Sequence, residues 1–295
     1  MKLTQVKGNT YVLEGWGLIP LYKTDESHCI LLDTGLRSER EEIESTLEEY
    51  GLTPVGILNT HAHLDHAVNN RYFQEKYAIP VAMPQGEAAL CSSLLTLKCY
   101  YFMFSPDTVR HRVGEMLQKN VLPIGAEDGP FAFAGVMFHI LHTPGHAPDH
   151  ICIITPDDVC YLGDALLTAE PLKFPYGIAF QPALDSLERL RKLDCPVYVA
   201  AHRGIFTNLA KAIDHYSHLL LAVADHIRFL ISAPMTEDEI CRDVCEDFQL
   251  LSSRPERDRG THRTLRAYLE FLLDRGEIVL TSRRGVLYYG PAQSS

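Results

Sequence analysis

The sequence has no long, uninterrupted apolar run. Its most apolar stretch near the C-terminus, residues 218–234, is broken by Asp225, His226 and Arg228. Because a membrane-spanning helix needs about 20 consecutive apolar residues, we expect no membrane span and no membrane partner. Residues 1–16 also lack the apolar centre of a signal peptide. We therefore expect a cytoplasmic protein.

The sequence is also poor in basic residues. It has 27 Lys and Arg against 38 Asp and Glu, which gives a formal net charge of −11 with histidine neutral. A surface that binds nucleic-acid phosphates needs clustered Lys and Arg. The composition therefore argues against a chain-wide nucleic-acid surface and leaves room only for a local basic patch.

Closely paired cysteine motifs are absent as well. None of the eight cysteines forms a C-x-x-C pair, and we expect reduced thiols, most of them buried. Cys241 and Cys245 lie four residues apart, which places them on the same face of a helix. We assign them to the core and not to a metal site.

What the sequence does contain is two successive sets of strands with helical segments between them. Residues 38–50 form a Glu-rich amphipathic pattern that stops at Gly51, as is typical of a surface helix. Residues 55–59 then form a buried strand. Farther along, residues 131–141 alternate like a strand, and residues 151–162 predict a hairpin around a Thr-Pro-Asp-Asp turn.

Two further regions are predicted to be mainly helical. Residues 85–121 form a helical insertion that contains five consecutive aromatic or Met residues at 100–104. Beyond His202 the pattern predicts helices over residues 209–231, 236–248 and 261–275, followed by a hairpin over residues 278–289. Thr236 and Glu239 have the spacing of a capping box. The order is that of a winged-helix module, so we place a boundary near Pro234, between residues 1–233 and a module at residues 234–295.

The segment Thr60-His61-Ala62-His63-Leu64-Asp65-His66 carries the strongest chemical signal. Imidazole nitrogens and carboxylate oxygens are the ligands that zinc and similar divalent ions prefer. On an extended strand end, His61 and His63 point the same way, while Asp65 and His66 lie on the turn that starts the next helix. One short segment can therefore serve two neighbouring metal ions.

Three more candidate ligands follow strands later in the chain. His142 follows the strand of residues 131–141, Asp164 follows the hairpin, and His202 ends the strand of residues 197–201. Site residues in sheet-based enzymes usually lie at such strand ends. Each of these residues alone is a weak indication of a metal site. Together with His61 to His66 they are a strong one.

In chain order these segments resemble the metallo-β-lactamase superfamily. The resemblance covers about residues 11–205 and rests on Leu31-Leu32-Asp33-Thr34-Gly35, H-x-H-x-D-H at residues 61–66, H-T-P-G-H at residues 142–146, Leu162-Gly163-Asp164, and His202. It implies an α/β fold, a four-layer αββα sandwich with the metals at one edge, formed by residues 1–233.

The resemblance also implies a two-metal centre of five histidines and two aspartates. One ion would be held by His61, His63 and His142, the other by Asp65, His66 and His202, with Asp164 bridging both. Asp33 would support the histidine loop by hydrogen bonds without binding metal, and His146 would orient a ligand without binding metal itself.

These assignments imply a metal-dependent hydrolase. Two divalent ions, expected to be zinc with iron or manganese as alternatives, would lower the pKa of a bridging water near neutral pH. The resulting hydroxide would attack an ester, thioester, lactone or related bond of a small molecule, and Asp65 and Asp164 would also orient it.

Two other functions stay open within this resemblance. A single-strand endoribonuclease is favoured by the C-terminal pattern and opposed by the acidic charge, which makes RNA the alternative partner. A mono-iron persulfide dioxygenase shares H-x-H-x-D-H but would hold one iron with fewer ligands. We expect the C-terminal module to pack on the catalytic domain, to shape access to the metals and to contribute to a homodimer.

Overall fold

Two β-sheets pack face to face in the computed structural model, which describes residues 1–167, 173–202 and 204–292. The strands are β1 Lys2–Lys7, β2 Thr10–Glu14, β3 Leu18–Lys23, β4 His28–Leu32, β5 Thr53–Leu58, β6 Val81–Pro84, β7 Val121–Ile124, β8 Gly129–Phe133, β9 Val136–His142, β10 Ile151–Ile154, β11 Val159–Tyr161, β12 Val197–Ala200, β13 Gly204–Phe206, β14 Ile278–Arg283 and β15 Val286–Pro291. The helices are α1 Arg40–Glu49, α2 Leu64–Ala67, α3 Asn70–Tyr77, α4 Gln85–Cys91, α5 Leu94–Tyr100, α6 Pro106–Val113, α7 Phe180–Arg191, α8 Ala210–Leu230, α9 Glu237–Asp247 and α10 Pro255–Asp274.

The first sheet has the strand order β1 to β7, and the second runs from β13 back to β8. Neighbouring strands are antiparallel from β1 to β4 and parallel from β4 to β7. In the second sheet only β11 and β12 are parallel. The predicted hairpin of residues 151–162 is confirmed as β10 and β11.

Along the central strands, apolar side chains alternate between the two faces of the sheet, and each face packs against a different layer. In β4, Ile30 and Leu32 enter the core between the two sheets, while Cys29 and Leu31 face helices α1 and α3 on the outside. Successive side chains of a strand point to opposite faces, so β4 is buried on both sides. Helices α7 to α10 cover the outer face of the second sheet. The four-layer α/β sandwich expected from the sequence is thus confirmed.

The segment between β6 and β7 holds three short helices, α4 to α6, in the region expected to be helical. Their apolar side chains form a separate cluster with the histidine loop, in which Met83 and Leu97 are buried beside Ala62. Residue 121, expected to end the helical stretch, instead begins strand β7, which pairs in parallel with β6. This four-residue strand shows no clear period-2 pattern, and its pairing partner is far away in the chain.

The C-terminal elements share one apolar core with α7 and α8. Helix α9 begins with the predicted capping box, in which the Glu239 backbone N–H donates to Thr236 Oγ1 and the Thr236 backbone N–H donates to Glu239 Oε2. Helix α10 starts at Pro255, six residues before the predicted position, because Pro at the first helical position and acidic residues in the first turn favour an N-terminus there. The winged-helix assignment and the boundary near Pro234 stay predictions.

Within the described residues, none of the helices combines the length and apolar character that a bilayer crossing requires. All eight cysteines are free thiols, and six of them are buried. Cys241 lies in the core, as predicted, and Cys245 packs against it.

Candidate metal centre

The candidate centre lies where the carboxyl ends of strands from both sheets meet. Asp33 follows β4, the segment 61–66 follows β5, Asp164 follows β11, and His202 follows β12. The sheets are joined at this edge by a hydrogen bond from the Leu18 backbone N–H to the carbonyl of Ala201. Residues distant in the sequence therefore reach one small volume.

Three imidazoles form a first group with Asp164. His63 Nδ1 lies 2.9 Å from His61 Nε2 and 2.9 Å from His146 Nε2. Asp164 Oδ2 lies 3.1 Å from His146 Nε2. Four potential ligand atoms thus converge on one point.

A second group of two imidazoles and two carboxylates lies next to it. His202 Nε2 is 3.1 Å from Asp65 Oδ2 and 3.2 Å from Asp164 Oδ1. His66 Nε2 is 3.5 Å from the same Asp65 oxygen and 3.4 Å from the same Asp164 oxygen. Asp164 therefore directs one carboxylate oxygen to each group.

The donor set fits two divalent metal ions. In each group the ligand atoms lie within 4.8 Å of one another, as bonds of about 2 Å to a common ion require. His66 Nε2 and Asp164 Oδ1 are buried, and neither makes a hydrogen bond within the described part of the chain. Buried polar atoms are rarely left without a partner, so these atoms indicate an ion as the missing partner.

The protonation states on the first group suit metal binding. Burial lowers the pKa of His61 and of His63 well below the ordinary value, and the neighbouring imidazoles lower it further. For Asp164, burial acts in the opposite direction, but the imidazoles of His66 and His146 hold its pKa well below the usual range. Neutral histidine and ionised carboxylate are the forms that bind a metal ion.

The second group carries a proton in the absence of an ion. Burial lowers the pKa of His202, but the carboxylates of Asp164 and Asp65, which lie 3.2 Å and 3.1 Å from its Nε2, outweigh burial and raise the pKa to about 9. The same carboxylates, together with Asp33, overcome burial and raise the pKa of His66. An excess of negative charge in this group thus attracts cations, and a metal ion would displace these protons.

The structure places His146 in the first group and His142 outside both groups, unlike the grouping expected from the sequence. His142 ends β9 and donates from Nδ1 toward Asp128 Oδ1 at 3.1 Å, outside both groups. The turn that follows reverses the chain at Gly145. Its φ is +129°, and a Cβ added at this position would collide with the backbone of Ala183. This reversal carries His146, and not His142, into the first group.

Asp33 hydrogen-bonds to the histidine loop and belongs to neither group. Its Oδ1 accepts hydrogen bonds from the Thr60 backbone N–H at 2.8 Å and from Asn59 at 3.1 Å. Its Oδ2 accepts from Thr60 Oγ1 at 2.7 Å, Tyr161 Oη at 2.8 Å and His66 Nδ1 at 2.7 Å. His61 Nδ1 in turn lies 2.9 Å from Thr60 Oγ1. One carboxylate therefore orients a histidine of each group.

Two further supporting residues were missed by the sequence reasoning. His150 Nε2 accepts a hydrogen bond from the Asp164 backbone N–H at 3.1 Å. The Glu87 carboxylate is buried and accepts from the backbone N–H groups of Ala62 and Asp149. A lone histidine and a helical glutamate carry no signal in one sequence, and only their tertiary contacts show the role.

Aromatic residues surround the first group. Tyr100 Oη lies 2.6 Å from His63 Nε2, so His63, with its Nδ1 lone pair turned into the group, donates from Nε2 to Tyr100. The Tyr176 ring lies 5.6 Å from that of His63 and 5.5 Å from that of His146. The Arg263 guanidinium of α10 lies 4.3 Å from the centre of the Tyr100 ring. The C-terminal part of the chain therefore borders the site.

The second group borders solvent beside Trp16. The Trp16 ring lies 4.8 Å from the His202 ring and is 65% exposed. It is the single tryptophan of the chain.

Comparisons with curated proteins identify hydrolases that resemble this chain. Hydroxyacylglutathione hydrolase GloC of Haemophilus influenzae is 25% identical over 197 residues, which cover 63% of this chain and 85% of that protein. Probable metallo-hydrolase YqgX of Bacillus subtilis is 31% identical over 148 residues, which cover 48% of this chain and 62% of that protein.

Solved structures share the fold over nearly the whole chain. The metallo-beta-lactamase family protein TTHA1429 from Thermus thermophilus matches with a TM-score of 0.73 and 24% identity, covering 96% of this chain and 98% of that one. A Beta-lactamase domain protein from Burkholderia ambifaria matches with a TM-score of 0.76 and 17% identity, covering 99% and 94%. At such identities the likeness shows the fold alone.

The family model of the metallo-beta-lactamase superfamily matches residues 3–202. This range includes all the residues of both candidate ligand groups. The chain therefore belongs to the metallo-β-lactamase superfamily.

Proposed function

We propose that this protein is a hydrolase with two divalent metal ions that cleaves an ester, thioester or lactone bond in a small molecule. The observation that carries the proposal is the position of Asp164, which directs one carboxylate oxygen to each of two adjoining ligand groups. Zinc is the metal we expect because imidazole and carboxylate suit it, with iron and manganese as alternatives.

The candidate ligands would be divided between the two metal ions. His61, His63 and His146 would hold one ion, Asp65, His66 and His202 the other, and Asp164 would touch both. Two such ions supply Lewis acidity and a hydroxide nucleophile near neutral pH. The Asp65 and Asp164 carboxylates would accept hydrogen bonds from the attacking water and orient it.

A thioester is the substrate bond we favour. The relatives named hydroxyacylglutathione hydrolase act, by their name, on thioesters, which supports the same bond type here. RNA is disfavoured because the net charge of −11 repels a polyanion.

The test combines elemental analysis with a substrate panel. We expect close to two divalent ions per chain after loading with zinc, and hydrolysis of simple thioesters and not of single-stranded RNA. Asp164→Ala should lose both ions and the activity, because this carboxylate serves both groups. Asp185→Ala removes an exposed carboxylate of α7 and is the matched control.

Three results would contradict the proposal. Full metal occupancy in the Asp164→Ala variant would exclude the shared carboxylate. Cleavage of single-stranded RNA without thioester hydrolysis would replace the substrate class, and one tightly bound iron per chain would favour the dioxygenase.

A further inference from the structure

A cavity of about 210 Å³ lies beside the first ligand group, between α10 and the segment that carries Tyr100. Phe102, Pro148 and Ile178 give it an apolar wall, and Arg263 contributes a cation. Tyr100 links the cavity to the metal centre, because its ring lines the cavity while its hydroxyl contacts His63.

The Arg263 guanidinium is surrounded by aromatic rings and has no carboxylate partner among the described residues. Its guanidinium lies over three aromatic rings, at 4.3 Å from Tyr100, 5.9 Å from Tyr101 and 5.4 Å from Tyr176. No carboxylate oxygen of the described residues lies within 4.0 Å of it, whereas Arg266, the other arginine that lines the cavity, has such a partner. Aromatic faces attract a guanidinium but accept few of its five N–H donors.

Arg266 provides a contrast one turn away on the same helix. It lines the same cavity, but its guanidinium donates to Glu237 Oε2 at 2.8 Å. Glu270 also lines the cavity without forming an ion pair with Arg263. The charge of Arg266 is thus already compensated, and Arg263 is the cation of this cavity that still lacks an anion.

We propose that Arg263 recognises an anionic group of the substrate, a carboxylate or a phosphate carried on a short apolar chain. The proposal rests on the proposed function, since it places the scissile bond at the metal centre and the anion in the cavity beside it. A planar guanidinium binds both kinds of anion through paired hydrogen bonds. The apolar wall would hold the connecting chain, as is typical of small-molecule sites.

Arg263 lies close to the first ligand group. Tyr176 lies 5.4 Å from Arg263 and 5.6 Å from the His63 ring, so a single aromatic residue separates the cation from the ligand group. Arg263 is therefore a specificity-determining residue supplied by the C-terminal part of the chain.

The first experiment compares matched thioesters of a neutral thiol on the metal-loaded protein. Pentanoyl and glutaryl thioesters differ by a carboxylate in place of a methyl group, and a phosphonate-terminated analogue separates phosphate from carboxylate recognition. A parallel series places the carboxylate on the thiol instead. In Arg263→Met, kcat/KM for the anionic member should fall at least 10-fold relative to the neutral member, mainly through KM, as expected for one charge-assisted hydrogen bond.

The second experiment measures binding without turnover. Isothermal titration of the metal-loaded protein with glutarate should show an affinity loss of the same size in Arg263→Met. Arg263→Lys should recover part of it, because the charge remains while the planar fork is lost. Arg266→Met is the matched control on the same helix and should show a smaller loss, and circular dichroism establishes that each variant is folded.

The outcomes separate this inference from the proposed function. Equal losses for neutral and anionic substrates, together with a lower metal content, would overturn it and show that Arg263 acts through Tyr100 on His63. Unchanged glutarate affinity in Arg263→Met would also overturn it. If the wild-type protein hydrolyses none of the thioesters, the proposed function fails, while the glutarate titration still decides the role of Arg263.

Discussion

Asp33→Asn should lower both the stability of the protein and its affinity for metal ions, although it only replaces one carboxylate oxygen by an NH₂ group. The side chain is buried, and its two oxygens accept five hydrogen bonds. An asparagine has one acceptor oxygen, and its NH₂ group would face donors on whichever side it lies. Asp33 has a φ of +67°, which Asn adopts more readily than Ala, so this substitution separates the loss of hydrogen bonds from backbone strain.

The magnitude follows from the hydrogen bonds that cannot be rearranged. If the amide oxygen takes the Oδ2 side, the Thr60 backbone N–H and the Asn59 amide lose their acceptor. If it takes the Oδ1 side, His66 Nδ1–H faces an NH₂ group and its tautomer is disturbed. Each buried donor left without an acceptor costs about 1–3 kcal/mol, so the free energy of unfolding should fall by about 2–5 kcal/mol. Loss of a partner that orients a ligand should weaken metal binding roughly 10–100-fold.

The assay pairs urea unfolding with metal titration. Unfolding of the chelator-treated protein, followed by circular dichroism, gives the stability loss, and competition with a chromogenic chelator gives the metal affinity. Tyr161→Phe is the matched control, because it removes one of the five donors and keeps the buried ring. It should cost about 1 kcal/mol and change the metal affinity far less. Wild-type stability and affinity in Asp33→Asn, or equal losses in both variants, would refute this account of Asp33.

Three further predictions concern single residues of the site and the C-terminal helices. His146→Ala should lose one of the two ions whereas His142→Ala should keep both, as measured by elemental analysis; the reverse result would restore the grouping expected from the sequence. Chelation should change the fluorescence of Trp16, because its ring lies 4.8 Å from a candidate ligand ring; an unchanged spectrum on removal of measured metal would contradict this. The Glu237 carboxylate, which lies 3.6 Å from His262 Nδ1, raises the pKa of His262 above its ordinary 6.5. This pair therefore stabilises the fold fully below pH 6.5, and the effect is lost as the pH rises through the raised value. Glu237 stays ionised because, despite partial burial, its partners His262 and Arg266 lower its pKa below 4.5; the difference in Tm between wild type and His262→Gln should therefore be largest near pH 5.5 and disappear in alkaline buffer.

The sequence alone was sufficient where the candidate ligands are neighbours in the chain. His61, His63, Asp65 and His66 lie within six positions, and their geometry depends only on a strand end and the helix turn after it. Asp164 and His202 were found because each directly follows a strand, and strand ends of a sheet meet at a common edge. The layered fold was implied by the resemblance of these segments to the metallo-β-lactamase superfamily, and strands that are apolar on both faces, such as β4, agree with it.

The helix boundaries were predicted less well where local signals compete. The predicted start of α10 at residue 261 follows Gly260, which is a weak position in a helix. Tertiary packing of Leu265 and Tyr268 in the C-terminal core outweighs that local cost of about 1 kcal/mol.

Only the tertiary structure decided which histidine of H-T-P-G-H enters the centre. His142 and His146 are chemically identical candidates, and the choice depends on how the chain reverses at Gly145 against α7. The same holds for the groups around the ligands. Tyr100 and Arg263 are 163 positions apart in the sequence, and their contact is set by how α10 packs across the second sheet. The local sequence does not predict such packing, because the free energy that brings these residues together comes from burial of apolar faces elsewhere in the core.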